Sequence, residues 1–334
     1  MSAPDLSILL PTGRRPESLG RLLHRIESCR RDRLAVEVLV LDDEGGEHTR
    51  EVCARIEGIP VRHLAVPNGG ATRRATLLNH GLADEGLGRI VAFTDEGVEP
   101  ALSWLKEIRD ACDSFPDYDV FGGRVEVVWP DGRPPRWASG ERGAPVRELG
   151  FEEHAPWHDS GPYPIGLVPT GRNFWIRRSA LESGVRFEAP GLRLPQERAR
   201  ELALVHGGEE RFLRELSLRG HRTLFASRAV VQRSVARALV SPARARLGAF
   251  DLGRRRTLEH GLPLPDLLRR SPLSWTALRR LCVLRDGARV AWGRLGGVAA
   301  SMEPLLALGG DLESLRLARE AHVAHVATER RANP

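Results

Sequence analysis

The chain has 334 residues, 41% of them hydrophobic, enough to bury a large core, and that composition excludes wholesale disorder. Lys and Arg number 50 against 44 Asp and Glu, and Lys106 is the only lysine, so the positive charge is almost all guanidinium, suited to paired contacts with phosphate or carboxylate. No apolar run reaches the ~20 residues that span a bilayer, and Cys29, Cys53, Cys112 and Cys282 form no CxxC pair, which argues against a cysteine zinc site or a disulfide framework.

From Pro4 the chain runs straight into a strand-like segment without the basic and apolar regions of a signal peptide, so a cytoplasmic protein is expected. Leu6-Ser7-Ile8-Leu9-Leu10-Pro11-Thr12 predicts a buried strand closed by proline. Pro16 stands near a helix start, after which Leu19, Leu22, Leu23 and Ile26 recur at helical spacing. A second strand, Val36 to Leu41, ends in Asp42-Asp43-Glu44-Gly45 and precedes a helix near His48 to Glu57. A third, Val61 to Val66, ends at Pro67-Asn68-Gly69-Gly70, and a helix through Thr72 to Leu82 leads to a fourth, Ile90 to Phe93, which ends in Thr94-Asp95-Glu96-Gly97. Such alternation predicts an α/β fold, a Rossmann-like, mostly parallel sheet with flanking helices whose ligand loops gather at its carboxyl edge.

Between Val120 and Gly166 the chain is rich in Pro, Gly and Trp, and Trp129, Trp137 and Trp157 stand in loop-like contexts, where a ring either packs or stacks on a ligand. From about Val235 it becomes arginine-rich and helical, with Leu267, Leu268, Leu278 and Leu281 on apolar stripes. Basic amphipathic helices either pack against their own domain or lie on an anionic membrane, and both readings stay open. No aromatic-interleaved basic platform or recognition motif points to nucleic acid. Three segments follow: 1–97, 98–234 and a C-terminal helical extension, 235–334.

In their order these segments resemble the family 2 glycosyltransferases of the GT-A fold. Ile8-Leu9-Leu10-Pro11-Thr12 looks like the family's opening strand, Val38-Leu39-Val40-Leu41-Asp42-Asp43 like its nucleobase-binding strand, and Phe93-Thr94-Asp95-Glu96-Gly97 like its Asp-x-Asp strand end. Asn68-Gly69-Gly70 with Arg73 and Arg74 is similar to the loop before its third helix. Thr170-Gly171-Arg172-Asn173-Phe174-Trp175 resembles the segment lining the acceptor cleft, and Gly207-Gly208-Glu209-Glu210 the acidic helix start that carries the catalytic base. The likeness covers about residues 5 to 260.

The resemblance implies transfer of a sugar from a nucleotide-diphospho-sugar, a UDP-sugar favoured, to a small-molecule or glycan acceptor, with inversion. It assigns the donor pocket to Thr12, Arg14, Asp42, Asp43, Arg73, Arg74, Asp95, Arg233 and Arg237, and the acceptor side to Asn173 and Trp175. Glu210 would be the general base and Glu209 its alternate, although acids at a helix start also complement the helix dipole. Asp95 would be the metal ligand for Mg²⁺ or Mn²⁺. Two residues depart from the family pattern: Gly97 stands where the last acid of Asp-x-Asp is expected, and Gln232 where a metal-binding histidine often follows. Three consequences are open. Glu96 or Glu99 fills the gap; or arginines such as Arg233, Arg237, Arg254, Arg255 and Arg256 neutralise the diphosphate; or the protein is a non-catalytic scaffold on the same fold.

Overall fold

The structure, a computed structural model, describes residues 4–13, 15–42, 45–66, 73–135, 137–138, 151, 153–164, 166–188 and 208–260, and in the C-terminal part residues 280, 283–284, 286–287, 289–290, 304–305 and 307–316. It divides into two compact units, Met1–Val128 with Glu153–Ser234, and Trp129–Glu152 with Val235–Pro334. The stretch Trp129–Glu152, read from sequence as part of the 98–234 segment, thus falls with the C-terminal extension.

The first unit is built on one sheet in the order β3 (Val61–Ala65), β2 (Val36–Asp42), β1 (Leu6–Thr12), β4 (Ile90–Phe93), β8 (Phe174–Arg177), β6 (Val120–Val128), β9 (Thr223–Ser234), β5 (Glu99–Pro100), with β7 (Gly161–Pro162) beside β9. Strands β1 (Leu6–Thr12), β2 (Val36–Asp42), β3 (Val61–Ala65) and β4 (Ile90–Phe93) pair in parallel. Every residue of β1, β2 and β4 is buried, because helices cover both faces; this is why these strands read as continuous apolar runs rather than alternating ones. The edge strand β3 is only partly covered. Helices fill the intervals as expected: α1 (Pro16–Glu27), α2 (Glu47–Ala54) and α3 (Arg73–Leu82).

Within β1 the two-residue period sends Leu6, Ile8 and Leu10 to one face and Leu9 to the other. On the first face they meet Leu19, Leu22, Leu23 and Ile26 of α1 and Trp104, Leu105 and Ile108 of α4 (Trp104–Ser114). On the second they meet Leu77, Leu78 and Leu82 of α3 and Phe212, Leu213 and Leu216 of α5 (Gly208–Leu218). Phe93 and Phe174 stack there with ring centroids 4.3 Å apart, and Phe187 stacks on Phe212 at 4.0 Å. Burying each such side chain contributes roughly 1.5–3 kcal/mol.

Beyond β4 the sheet is mixed. The short β5 (Glu99–Pro100) and β7 (Gly161–Pro162) both run antiparallel to β9 (Thr223–Ser234), while β8 (Phe174–Arg177) runs antiparallel to β4 and to β6 (Val120–Val128). Strands β6 and β9 pair in parallel. It follows that β8 begins, and β6 and β9 end, at the edge where β1, β2 and β4 end.

In the second unit α6 (Pro242–His260) buries Ala245, Ala249 and Leu252. Arg254 Nε donates to Glu313 Oε2 at 3.0 Å, and Trp137 Nε1 donates to the carbonyl of Val240 at 3.2 Å. Trp129 and Trp137 both pack on Phe151, so two of the three loop tryptophans serve packing. Trp157, in the first unit, is 47% exposed. Among the described residues no helix is long and apolar enough to cross a membrane.

Candidate active site

Thr12 ends β1, Asp42 ends β2, and Thr94 and Asp95 follow β4, so all reach the carboxyl edge of the sheet. Arg172 and Asn173 precede β8, Arg233 sits near the end of β9 and Glu209 opens α5. Ligands bind at this edge in open α/β sheets because helix starts and strand ends converge there.

Asn173 fixes much of this geometry. Between Gly123 and Arg124 the pairing of β6 jumps from Ala226 to Val230, so three residues of β9 bulge out of the ladder. Such a bulge strands backbone carbonyls, and the Asn173 amide takes them up: Nδ2 donates to the carbonyls of Arg124 at 2.9 Å and Ala229 at 2.8 Å. Its Oδ1 accepts from Trp104 Nε1 at 2.9 Å, and its backbone carbonyl accepts from the Gly123 amide at 2.9 Å. A Cβ on Gly123 would lie 2.2 Å from Asn173 Nδ2, so only glycine leaves room for this peg.

Arg172, one residue earlier, is thereby held at the edge, and its carbonyl accepts from the Thr94 hydroxyl at 3.1 Å. Arg172 Nε lies 3.5 Å from Asp95 Oδ2, with its side chain 21% exposed. Asp95 Oδ1 accepts from the Gly97 amide at 2.8 Å. Arg233 lies within the fields of both Arg172 and Asp95; burial, then repulsion from Arg172, pushes its pKa down to about 10 against the pull of Asp95.

Behind this group Arg74 Nε donates to Glu209 Oε1, the two side chains being 15% and 11% exposed. Burial works to lower the pKa of Arg74, yet Glu209 and Asp95 outweigh it and hold the guanidinium above its ordinary value. Glu210, the next residue, is 59% exposed and accepts from Arg214 Nε at 3.0 Å and Nη2 at 2.7 Å, one turn along α5. Adjacent acids that look alike in sequence therefore have opposite environments.

On the β1 and β2 side, Thr12 Oγ1 and the Gly13 amide both donate to Glu96 Oε1, and burial raises the Glu96 pKa. Asp42, almost wholly buried, accepts from His63 Nε2 at 3.0 Å and from the Gly46 amide at 3.1 Å.

Several residues stand apart from the expected roles. Asn173 and Trp175 do not face a cleft: both are fully buried, Asn173 because the bulge consumes its amide and Trp175 because it stacks on Phe121 at 5.6 Å inside the sheet. Glu99 does not fill the position lost at Gly97; it lies 3.6 Å from Arg25 on a neighbouring helix. Gln232 Nε2 donates to Glu126 Oε2 at 3.1 Å. Arg237 and Arg254 belong to the second unit, where they pair with Asp131 and Glu313. Arg14, Asp43, and the side chains of Arg73, Arg255 and Arg256 lie outside the described residues. Arg172, which the sequence offers only as part of the acceptor segment, joins the group around Asp95, and its position between Gly171 and the start of β8 is the one signal for it.

These donors do not fit a divalent cation. Among the described residues no group of three or more His, Cys, Asp or Glu side chains is disposed to hold a metal. The carboxylates of Asp95 and Glu96 are engaged by amides, a hydroxyl and guanidinium, and among the described residues the charges that act with Asp95 include Arg172, Arg233 and Arg74 as well as Glu96.

No family model matches the chain. It is 24% identical over 192 residues to the glycosyltransferase AglE of Haloferax volcanii, a stretch covering 53% of this chain and 61% of that protein. That relative is a glycosyltransferase, as the order of the motifs led us to expect. Solved structures with similarity include the mannosyltransferase PcManGT of Pyrobaculum calidifontis in complex with GDP-Man and Mn²⁺, at 14% identity and a TM-score of 0.45, covering 99% of this chain and 81% of that one. TarS residues 1–349 of S. aureus with UDP gives 16% identity and a TM-score of 0.44, covering 96% and 92%. GalNAc-T7 with UDP, GalNAc and Mn²⁺ gives 14% and 0.49, covering 81% and 54%.

Proposed function

We propose that the chain is an inverting glycosyltransferase that moves a sugar from a nucleotide-diphospho-sugar to the hydroxyl of a small-molecule or glycan acceptor. The observation that carries this reading is the convergence at one sheet edge of the strand-end acid Asp95, the paired arginines beside it and the acidic start of α5. Sequence similarity to a glycosyltransferase supports it. The donor's base and ribose are assigned to the ends of β1 and β2, with Thr12 and Asp42 as the described residues there. Asp42 is held by His63 and Gly46 and so is a preset acceptor rather than a mobile one.

The two acids of α5 divide the work. Glu209 is held in a nearly buried ion pair with Arg74 and is assigned the structural part. Glu210 is exposed and paired with Arg214 near solvent, and it is assigned the proton of an attacking hydroxyl. Attack from the face opposite the leaving diphosphate inverts the anomeric carbon, and general base catalysis contributes about 10²–10⁴-fold. Titration calorimetry with nucleoside diphosphates and their sugars, followed by a transfer assay on any bound donor, tests the reading. Binding without turnover would instead favour the scaffold reading, for which Gly97 and Gln232 speak; no binding to any donor would sink the enzyme.

A further inference from the structure

We propose that Arg172 and Arg233 form a guanidinium clamp that holds the donor's diphosphate, in the place where a divalent cation would otherwise stand. The inference rests on the donor reading above and specifies how that donor is gripped. Three observations lead to it.

The first is charge. Arg172 Nε lies 3.5 Å from Asp95 Oδ2, and Arg233, near the end of β9, feels both the repulsion of Arg172 and the pull of Asp95. Guanidinium groups that act on one another beside a carboxylate are an arrangement that collects at functional sites. An anion with several oxygens relieves the repulsion, whereas a divalent cation increases it.

The second is rigidity. Arg172 is fixed from both sides, by the Thr94 hydroxyl on its carbonyl and by the pegged Asn173 that follows it. Arg233 is carried by the β6–β9 ladder opposite Val127. The β9 bulge sets which residues of that strand reach the edge, so the same Asn173 that restrains Arg172 also fixes the register that presents Arg233. Preorganised donors aimed at a site where negative charge grows are the main source of electrostatic catalysis, and two forks suit a diphosphate.

The third is the fate of the metal-ligand positions. Position 97 carries no side chain, Gln232 donates to Glu126, and Glu99 lies beside Arg25, so among the described residues none of these three positions completes a cation site.

The test is titration calorimetry of the full chain with inorganic pyrophosphate and with UDP, GDP, ADP, CDP and dTDP, each in EDTA and in Mn²⁺. It is repeated on Arg172→Gln, Arg172→Lys and Arg233→Gln, with melting temperatures to establish that each variant is folded. The expected result is nucleoside diphosphate binding that EDTA leaves intact. Each glutamine variant should lose about 10- to 100-fold in affinity, the size of a charged hydrogen bond. Arg172→Lys should recover part of that loss, because it keeps the charge and loses the fork. Binding that requires Mn²⁺, or that survives both glutamine substitutions, overturns the clamp and leaves the donor reading standing. If no nucleoside diphosphate binds in either condition, the donor reading fails and the clamp with it.

Discussion

Arg74 and Glu209 lie 135 residues apart in sequence and share a nearly buried hydrogen bond that joins the start of α3 to the start of α5. Removing one partner strips the other of its hydrogen-bonded counter-charge in a low-dielectric setting, which costs up to about 3–5 kcal/mol. Arg74→Met and Glu209→Gln should each be strongly destabilised in denaturant unfolding. The double variant Arg74→Met with Glu209→Leu should recover a large part of the loss. Equal, additive losses would show that the pair does not couple.

Asn173 supplies a sharper stability test. Its amide satisfies two bulge carbonyls and the Trp104 indole inside a fully buried pocket. Each buried polar group left without a partner costs about 1–3 kcal/mol, so Asn173→Ala should unfold the first unit at much lower denaturant. Gly123→Ala should do likewise, because its methyl group would occupy the space of the same amide. A thermal melt within a degree or two of the parent would refute the peg.

Glu210 and Glu209 should separate by readout. Glu210→Gln should lower kcat by about 10²–10⁴-fold while leaving the melting temperature near that of the parent, since an exposed i,i+4 pair with Arg214 contributes only about 0.3–0.5 kcal/mol. Glu209→Gln should show itself first as lost stability. A Glu210→Gln enzyme of parental kcat would remove Glu210 from the reaction.

Asp84 predicts an acid-side effect. A hydrogen bond from Arg62, opposed by burial and assisted by the Gly86 amide, holds its pKa below the ordinary 3.8. A carboxyl whose folded pKa is depressed contributes stability that is complete above 3.8 and is lost as pH falls through the folded value. Asp84→Asn should therefore cost about 1 kcal/mol at neutral pH, and the difference from the parent should close as unfolding is measured at progressively lower pH below 3.8.

The parallel half of the fold was legible because strands covered on both faces must be apolar throughout and strand ends must carry the polar groups. Leu6–Thr12, Val36–Asp42 and Ile90–Phe93 each followed that rule. The burial of Asn173 and Trp175 was not legible: the segment that holds them resembles an acceptor-lining one, and only the bulge that takes up the Asn173 amide and the stacking of Trp175 on Phe121 draw them inside. That bulge arises from the registry of β6 against β9, which no local pattern encodes. The different surroundings of Glu209 and Glu210 were equally hidden, since both satisfy the same helix-start rule. Glu99 beside Arg25 depended on where α1 crosses β5.

The pairing of β4 with β8 bears on how the chain is made. Ile90–Phe93 emerges with β1 and β2 already available on one side, but its other edge stays open until Phe174–Arg177 is synthesised, about 80 residues later. At ~5–20 residues per second that is roughly 4–16 s during which an apolar strand edge is unpaired on the nascent chain. Exposed strand edges of this kind template association between chains, so the interval between β4 and β8 is the stretch of synthesis in which the protein most needs shielding.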